Sequence, residues 1–200
     1  MDEKTAMQGR IGATAWSSAE RRELELLYLR RERVPEESWK WTQRTMPITC
    51  VDVIVLVPEK GVLLGHRSGP PVENVDWFIG GRAYRGETLE QTAMINVWKE
   101  TGLEIRLLQK ERVGTGDTTF YDGEDRQSHN ATFAAVAVGG RLELTRDFTG
   151  YRYVNGSEGD LHPYVKEFLE KSGIFQGTLS KGLEIYFSED KAALKDSQRG

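Results

Sequence analysis

Residues 80–103 read GGRAYRGETLEQTAMINVWKETGL, and this stretch decides the fold. The two leading glycines predict the end of a strand and a turn, because glycine adopts backbone conformations that other residues avoid. Residues 88–101 then have the composition and apolar spacing of a helix. The closing Gly102-Leu103 follows that helix. The stretch therefore predicts a strand, a glycine-rich turn and a helix in succession.

The predicted helix has two faces of different chemistry. Its apolar residues recur at helical spacing and would pack on a sheet: Ala93, Met94 and Val97. Asn96, Lys99 and Glu100 share a neighbouring face, because residues three and four apart superpose on a helix. Hard oxygen ligands suit Mg²⁺, which commonly borrows substrate phosphate oxygens. With one carboxylate beside a lysine, this face should hold at most one divalent ion.

The same stretch resembles the signature of Nudix hydrolases, G-x5-E-x7-R-E-U-x-E-E-x-G-U, where U is aliphatic. The matching positions are Gly81, Glu87, Val97, Glu100, Gly102 and Leu103. Ile95, Asn96 and Lys99 stand where the signature has Arg, Glu and Glu. The resemblance implies an α/β fold, specifically an α/β/α sandwich with a mixed β-sheet. It also implies hydrolysis that depends on Mg²⁺, with Mn²⁺ as a substitute.

A wider region, residues 34–154, is similar to the GDP-mannose mannosyl hydrolase family, Nudix relatives with a similarly altered signature. The segments that carry this similarity are PITCVD (47–52), LLGHR (63–67), WFIGGR (77–82), ETLE (87–90), TGL (101–103), FYD (120–122) and YRY (151–153). These relatives also keep the last carboxylate of the signature and lose the others, so the loss of those other carboxylates does not imply inactivity. The implied substrate is a nucleoside diphosphate sugar.

The metal ligands implied by this resemblance are Glu100, the Gly80 carbonyl and Asp147. Asp147 lies in the loop 146–150, which reads RDFTG, where the similar family has a further ligand and a catalytic histidine. Asp147 can replace the ligand, but Phe148 cannot accept a proton. The general base therefore remains open among Asp147, Glu143 and His129.

The implied substrate contacts are Asp52, Arg67 and Arg82, of which Arg82 is also a catalytic candidate. Guanidinium groups hold phosphate oxygens and stabilise a departing diphosphate. Asp52 has an alternative as a paired structural carboxylate, because an unpaired charge in an apolar strand is costly.

Three further residues are candidates with open alternatives. Glu87, a catalytic candidate, either caps the helix or supports a ligand from behind. Tyr121 lies in a long polar loop and stacks on a substrate ring, unless the loop is an ordinary hairpin connection. His129 contacts substrate, unless it is a structural histidine.

Two questions about the reaction stay open at this point. Water attacks either the sugar carbon, as in the similar family, or phosphorus, as in ordinary Nudix enzymes. The alternative function is a catalytically inactive Nudix-like module that binds a nucleotide or a protein, for which Lys99 and Phe148 are the arguments.

Composition limits the remaining possibilities. The chain has 200 residues, which fits one domain, and a net charge of −4, which gives no basic surface for nucleic acid. The longest apolar run, residues 53–57, is too short to cross a membrane. Cys50 is the single cysteine and is more typical of packing than of a nucleophile. A reducing cytoplasm is the expected location.

The predicted organisation is an N-terminal tail and helix over 1–33, a Nudix domain over 34–187 and a C-terminal tail over 188–200. The first helix, 20–33 with Ser18 as its N-cap, either lies on the domain surface or forms a homodimer. A second helix is predicted at 162–171. Predicted strands are 48–57, 62–65, 77–79, 103–113, 131–138, 141–144, 151–154 and 183–187.

Overall fold

A computed structural model of the chain describes residues 15–69, 72–108, 113–120 and 126–176. The predicted strand at 183–187, the C-terminal tail and Tyr121 lie outside the described residues. The helices are α1 (Ser18–Leu29), α2 (Glu36–Thr45), α3 (Leu89–Thr101) and α4 (Pro163–Ser172). The strands are β1 (Ile48–Val57), β2 (Gly61–Arg67), β3 (Asp76–Trp77), β4 (Ile79–Arg82), β5 (Leu103–Leu107), β6 (Gly114–Phe120), β7 (Arg126–Gly140) and β8 (Phe148–Val154). In the part of the chain described, no helix has the length and apolar character needed to span a membrane.

The strands form one mixed sheet. Its main path runs β3-β2-β1-β7-β5, while β4 pairs with β1, β6 with β7 and β8 with β2. The central strands β1 and β7 are parallel, and the other pairs are antiparallel. Strand β1 is apolar along most of its length because it is buried on both faces.

Helices cover both faces of this sheet, which confirms the predicted α/β/α sandwich. Alternate β1 residues such as Val53 and Val55 pack in one core cluster with Ala93 and Val97 of α3. Ile54 packs in the opposite cluster, with the aromatic and aliphatic residues of α4. Because side chains alternate along a strand, Asp52 shares the α4 face with Ile54.

The signature helix α3 has a defined cap at each end. Thr88 is its N-cap and accepts from the backbone of Gln91, whose side chain in turn bonds to the Thr88 amide. Gly102 follows the helix with φ 72°, a left-handed conformation that favours glycine. The predicted range 88–101 is thus confirmed.

Helix α1 begins and ends earlier than predicted. Ser17, not Ser18, is its N-cap and forms a capping box with Glu20, and the last helical residue is Leu29. The helix lies on the domain: Leu24 and Trp16 pack in one cluster with Ile95 of α3. The predicted end at residue 33 was wrong because residues 30–33 read RRER, which favours a helix, yet the helix ends at Leu29.

One helix was not predicted, and two of the predicted strands were wrong. The helix that was missed, α2, follows Pro35 and has no buried residue. The single strand predicted over 103–113 is divided between β5 and β6. Residues 141–144 form no strand; there, the Glu143 amide donates to the carbonyl of Thr101.

Candidate active site

Glu100, in the last turn of α3, is the centre of the candidate site. The Gly80 amide donates a hydrogen bond to its carboxyl group, so the glycine turn and the helix meet here. Its Oε2 atom is buried and has no hydrogen-bond partner among the described residues. Burial is the main cause that raises the Glu100 pKa to about 8, and Asp147 and Asp52 raise it further. Without a cation, this group therefore keeps a proton at neutral pH.

Two residues of the segment between β7 and β8, Thr145 and Asp147, lie near Glu100. The Thr145 amide donates to the Glu100 carbonyl at 3.0 Å, and the Thr145 hydroxyl is buried without a partner in the described part of the chain. The carbonyl of Asp147 accepts from the Ser68 amide at 3.1 Å, which ties this loop to the end of β2. No group of three or more His, Cys, Asp or Glu suited to a metal occurs within the described ranges. These oxygens fit one hard divalent ion better than a cluster of ions.

Glu87 is held in a buried ion pair close to α3. Arg31 donates from Nε to Oε1 at 2.7 Å and from Nη2 to Oε2 at 2.9 Å. Thr92 also donates to Oε2, at 2.8 Å. Since Thr88 caps the helix, Glu87 does not; its carboxylate is instead bound by Arg31 and Thr92.

A cleft of about 330 Å³ opens beside the Gly80–Gly81 turn. Its lining includes three arginines and two tryptophans: Arg67, Arg82, Arg126, Trp39 and Trp77. The Arg82 guanidinium lies over the Trp39 ring, 4.5 Å from the centroid, and its Nε donates to the Tyr84 hydroxyl at 2.7 Å. Such an arrangement suits a ligand that carries both phosphates and a planar ring.

Asp52 and Asn130 form a polar patch in the same cleft. The buried Asp52 carboxyl accepts from Asn130 Nδ2 at 2.6 Å and from the Tyr164 hydroxyl at 2.8 Å. Burial raises the Asp52 pKa. Asn130 Oδ1 is buried without a partner among the described residues, so it remains available to accept a hydrogen bond from a ligand. Asp52 is thus a paired carboxylate and a cleft residue at once.

Other residues considered from the sequence lie apart from this arrangement. His129 is exposed, and strand alternation places it on the opposite face of β7 from Asn130. Phe148 is buried in the core, where its ring contacts the position a Gly65 Cβ would take. Cys50 lines the cleft, but burial raises its pKa to about 12, so it is not an activated thiol.

Sequence reasoning missed several residues of the site. Asn130 had only a weak signal: residues 128, 130 and 132 are polar on the face shared with Asp52, but the intervening Gln127 and His129 are polar as well. Arg31 and Trp39 had none, because both lie outside the signature and reach the site only through tertiary packing.

Comparisons with known proteins agree with this fold. The sequence matches the NUDIX domain family over residues 46–171. No curated protein matches it. Similar solved structures include a MutT protein from Methanosarcina mazei Go1, 20% identical over 62% of this chain and 92% of that chain, with a TM-score of 0.53. A putative Nudix hydrolase family member from Chromobacterium violaceum is 17% identical over 78% and 99%, also with a TM-score of 0.53.

A further similar structure contains a ligand. The Nudix domain of Shewanella oneidensis NrtR, solved with ADP ribose, is 17% identical over 74% of this chain and 96% of that chain, with a TM-score of 0.50. Identities this low show a shared fold.

Proposed function

Because the chain belongs to the Nudix family of hydrolases, we propose that it hydrolyses a nucleoside diphosphate sugar such as GDP-mannose, or a related nucleoside diphosphate compound. The observation that carries this proposal is the cleft, in which arginines and tryptophans lie beside the turn that contacts Glu100. A cytoplasmic location goes with this substrate class and with the single cysteine.

The cleft offers a separate contact for each part of such a substrate. Arg67 and Arg82 would hold the diphosphate through charge-assisted bonds and stabilise charge on the leaving group. Trp39 presents an aromatic surface for a base or sugar, and Asn130 Oδ1 accepts a donor from it. The Shewanella domain, whose ligand is ADP ribose, is a fold relative that takes a nucleotide derivative of this kind.

The metal in this proposal is Mg²⁺, with Mn²⁺ as a substitute. Glu100, the Gly80 carbonyl and Asp147 would hold it, because the buried Glu100 Oε2 has no partner among the described residues and the Asp147 charge acts on the Glu100 carboxyl group. When bound, the ion neutralises phosphate charge and orients the diphosphate. The Gly80 amide keeps the Glu100 carboxylate in place for this task, while Arg67 balances its charge.

The test is turnover of a panel of nucleoside diphosphate sugars with Mg²⁺ in ¹⁸O water. Label in the released sugar means attack at carbon, and label in phosphate means attack at phosphorus. Glu100→Gln keeps the shape of the side chain but removes its charge, and we expect turnover to fall by at least about 100-fold.

The matched control is Glu170→Gln, an exposed glutamate near the end of α4, which should leave turnover unchanged. Nucleotide binding that is indifferent to Mg²⁺ and to Glu100→Gln, with no turnover on any substrate, would instead support the non-catalytic binding module.

A further inference from the structure

Arg31 lies outside the matched family region, yet it forms a buried ion pair with Glu87, just before the signature helix. It follows α1 in the connection to α2, and its side chain is only 11% exposed. Two of its nitrogens bind the two oxygens of Glu87, and Nη1 donates to Asn96 Oδ1 at 2.9 Å. A guanidinium that uses three nitrogens on two buried partners is strongly fixed in position.

This arrangement follows from the residue at position 95. Ile95 is fully buried and packs against Trp16 and Leu24, the residues that hold α1 on α3. The signature would have an arginine on α3 here, within the helix itself. In this chain the apolar Ile95 side chain packs against α1 instead. The guanidinium comes from Arg31, which follows α1 and donates to Asn96 of the same helix.

The contacts of Arg31 continue to both parts of the site. By binding Asn96 Oδ1, it fixes the amide so that Nδ2, which is buried without a described partner, lies on the side of Gly81 and Glu100. Its guanidinium also lies 4.3 Å over the Tyr84 ring, and the Tyr84 hydroxyl accepts from Arg82 Nε. Arg31 is therefore linked to the metal side through Asn96 and to the cleft through Tyr84.

We propose that Arg31 is a positioning residue that completes the active site from outside the Nudix domain. It neutralises Glu87, so this carboxylate is not free to take a second divalent ion, and it orients Asn96 and Arg82 for the substrate. The inference rests on the proposed hydrolase function.

The first test compares Arg31→Met, Arg31→Lys and the control Arg106→Met in the full-length chain. Arg106 also holds α1, through a bond from Nη2 to Glu20 at 3.0 Å, but it contacts neither the cleft nor Glu87. We expect Arg31→Met to lower kcat by about 10- to 100-fold, because it disturbs the support of the site, and to raise KM by a smaller factor, because Arg82 contacts the substrate. Arg31→Lys should recover part of this loss, and Arg106→Met should retain kcat.

Both Met variants loosen α1, so thermal unfolding should show a similar loss of stability in each. A positioning role predicts that kcat falls only in Arg31→Met, whereas a purely structural role predicts that kcat falls equally in both. Equal losses of kcat in Arg31→Met and Arg106→Met would overturn the proposal. A third variant, Arg31→Ala, tests chemical rescue. Guanidinium, added at a concentration that leaves the wild-type protein folded, should restore activity to Arg31→Ala but not to Glu100→Gln. A folded Arg31→Ala protein that is not rescued would contradict the proposal.

A second readout does not depend on turnover. Calorimetric titration with Mg²⁺ should give one site in the wild-type chain and altered stoichiometry or affinity in Arg31→Met, in which Glu87 is released. A wild-type protein that binds Mg²⁺ but hydrolyses no nucleotide would reject the proposed function alone. Identical Mg²⁺ binding in wild type and Arg31→Met would reject the role of Arg31.

Discussion

At the scale of single residues, the candidate site depends on side chains whose hydrogen bonding is incomplete. Buried polar groups in proteins are normally paired, because an unpaired one costs free energy. Glu100 Oε2, Asn96 Nδ2 and Asn130 Oδ1 nonetheless have no partner among the described residues, and all three lie at or beside the cleft. Atoms of this kind are the natural contacts for a metal ion and a polar substrate.

Gly80 is the residue at which the site tolerates least change. A Cβ at this position would lie 2.1 Å from the carbonyl oxygen of Val51, an atom of the central strand that cannot move aside. We expect Gly80→Ala to lower the free energy of unfolding by about 3 kcal/mol, because the clash separates β4 from β1. Urea denaturation measures this change.

The control for that substitution is Gly150→Ala in β8. A Cβ there meets no atom within 4 Å, so the variant should be as stable as the wild type. A Gly80→Ala protein with wild-type stability would show that β4 can shift away from β1, and the fixed position of the Gly80 amide against Glu100 would then be in doubt.

The sequence predicted the centre of this site better than its edges. Glu100 and Gly80 could be placed together because the signature fixes their spacing, and the observed contact is the Gly80 amide bonded to Glu100, whereas the metal-binding role of the Gly80 carbonyl stays a prediction. Asp52 was predicted with both of its roles open, and the structure shows it paired as well as lining the cleft. Arg31 could not be predicted, because its contact with Glu87 spans 56 positions and depends on how α1 packs.

At the scale of elements, α1 acts as part of the domain rather than as an independent tail. The Trp16 indole donates to the Ile105 carbonyl at 2.9 Å, and Glu20 forms an ion pair with Arg106. Both contacts reach strand β5, while Leu24 packs on α3. Helix α2, which was not predicted from the sequence, has no buried side chain and so contributes little to the core.

Two leucines of α1 give a matched pair for testing this docking. Leu24 is 4% exposed, whereas Leu29, in the same helix, is 69% exposed. We expect Leu24→Ala to lower the free energy of unfolding by about 2–4 kcal/mol, since it leaves a cavity against Ile95. Leu29→Ala should change it by less than about 0.5 kcal/mol.

Chemical denaturation followed by tryptophan fluorescence compares the two variants. Similar small losses in both would mean that α1 is bound weakly to the domain. The proposed route from Arg31 to the active site would then lack a stable support.

At the scale of the whole molecule, the fold keeps two carboxyl groups in an environment that favours their neutral form. Burial raises the pKa of Glu100 to about 8 and also raises that of Asp52. The arginines of the cleft only partly offset this effect. An environment that disfavours the charged carboxylate is typical of a site that binds a cation, because the bound cation stabilises the charged form.

The sign of the resulting pH dependence can be worked out for the metal-free protein. Between pH 6.5 and about 8, the unfolded chain has released the proton of Glu100, whereas the folded protein still holds most of it until the pH reaches the Glu100 pKa of about 8. The folded state therefore binds more protons over this range, and stability falls as pH rises, by up to about 1.4 kcal/mol per pH unit for Glu100. Asp52, whose pKa burial also raises, acts in the same direction. At the acidic end of this range His162, whose pKa burial lowers from 6.5, makes a smaller contribution of the opposite sign, while the Cys50 thiol titrates at higher pH.

We therefore expect the metal-free chain to be less stable at pH 8 than at pH 6.5 when unfolded with urea in the presence of a chelator. Glu100→Gln should reduce this slope and Glu170→Gln should keep it, since only the first removes a buried carboxyl group. Saturating Mg²⁺ should stabilise the wild type more at pH 8, because the ion no longer has to displace a proton from Glu100. A slope unchanged by Glu100→Gln, together with Mg²⁺ stabilisation that is equal at both pH values, would contradict the assignment of Glu100 as a protonated metal ligand.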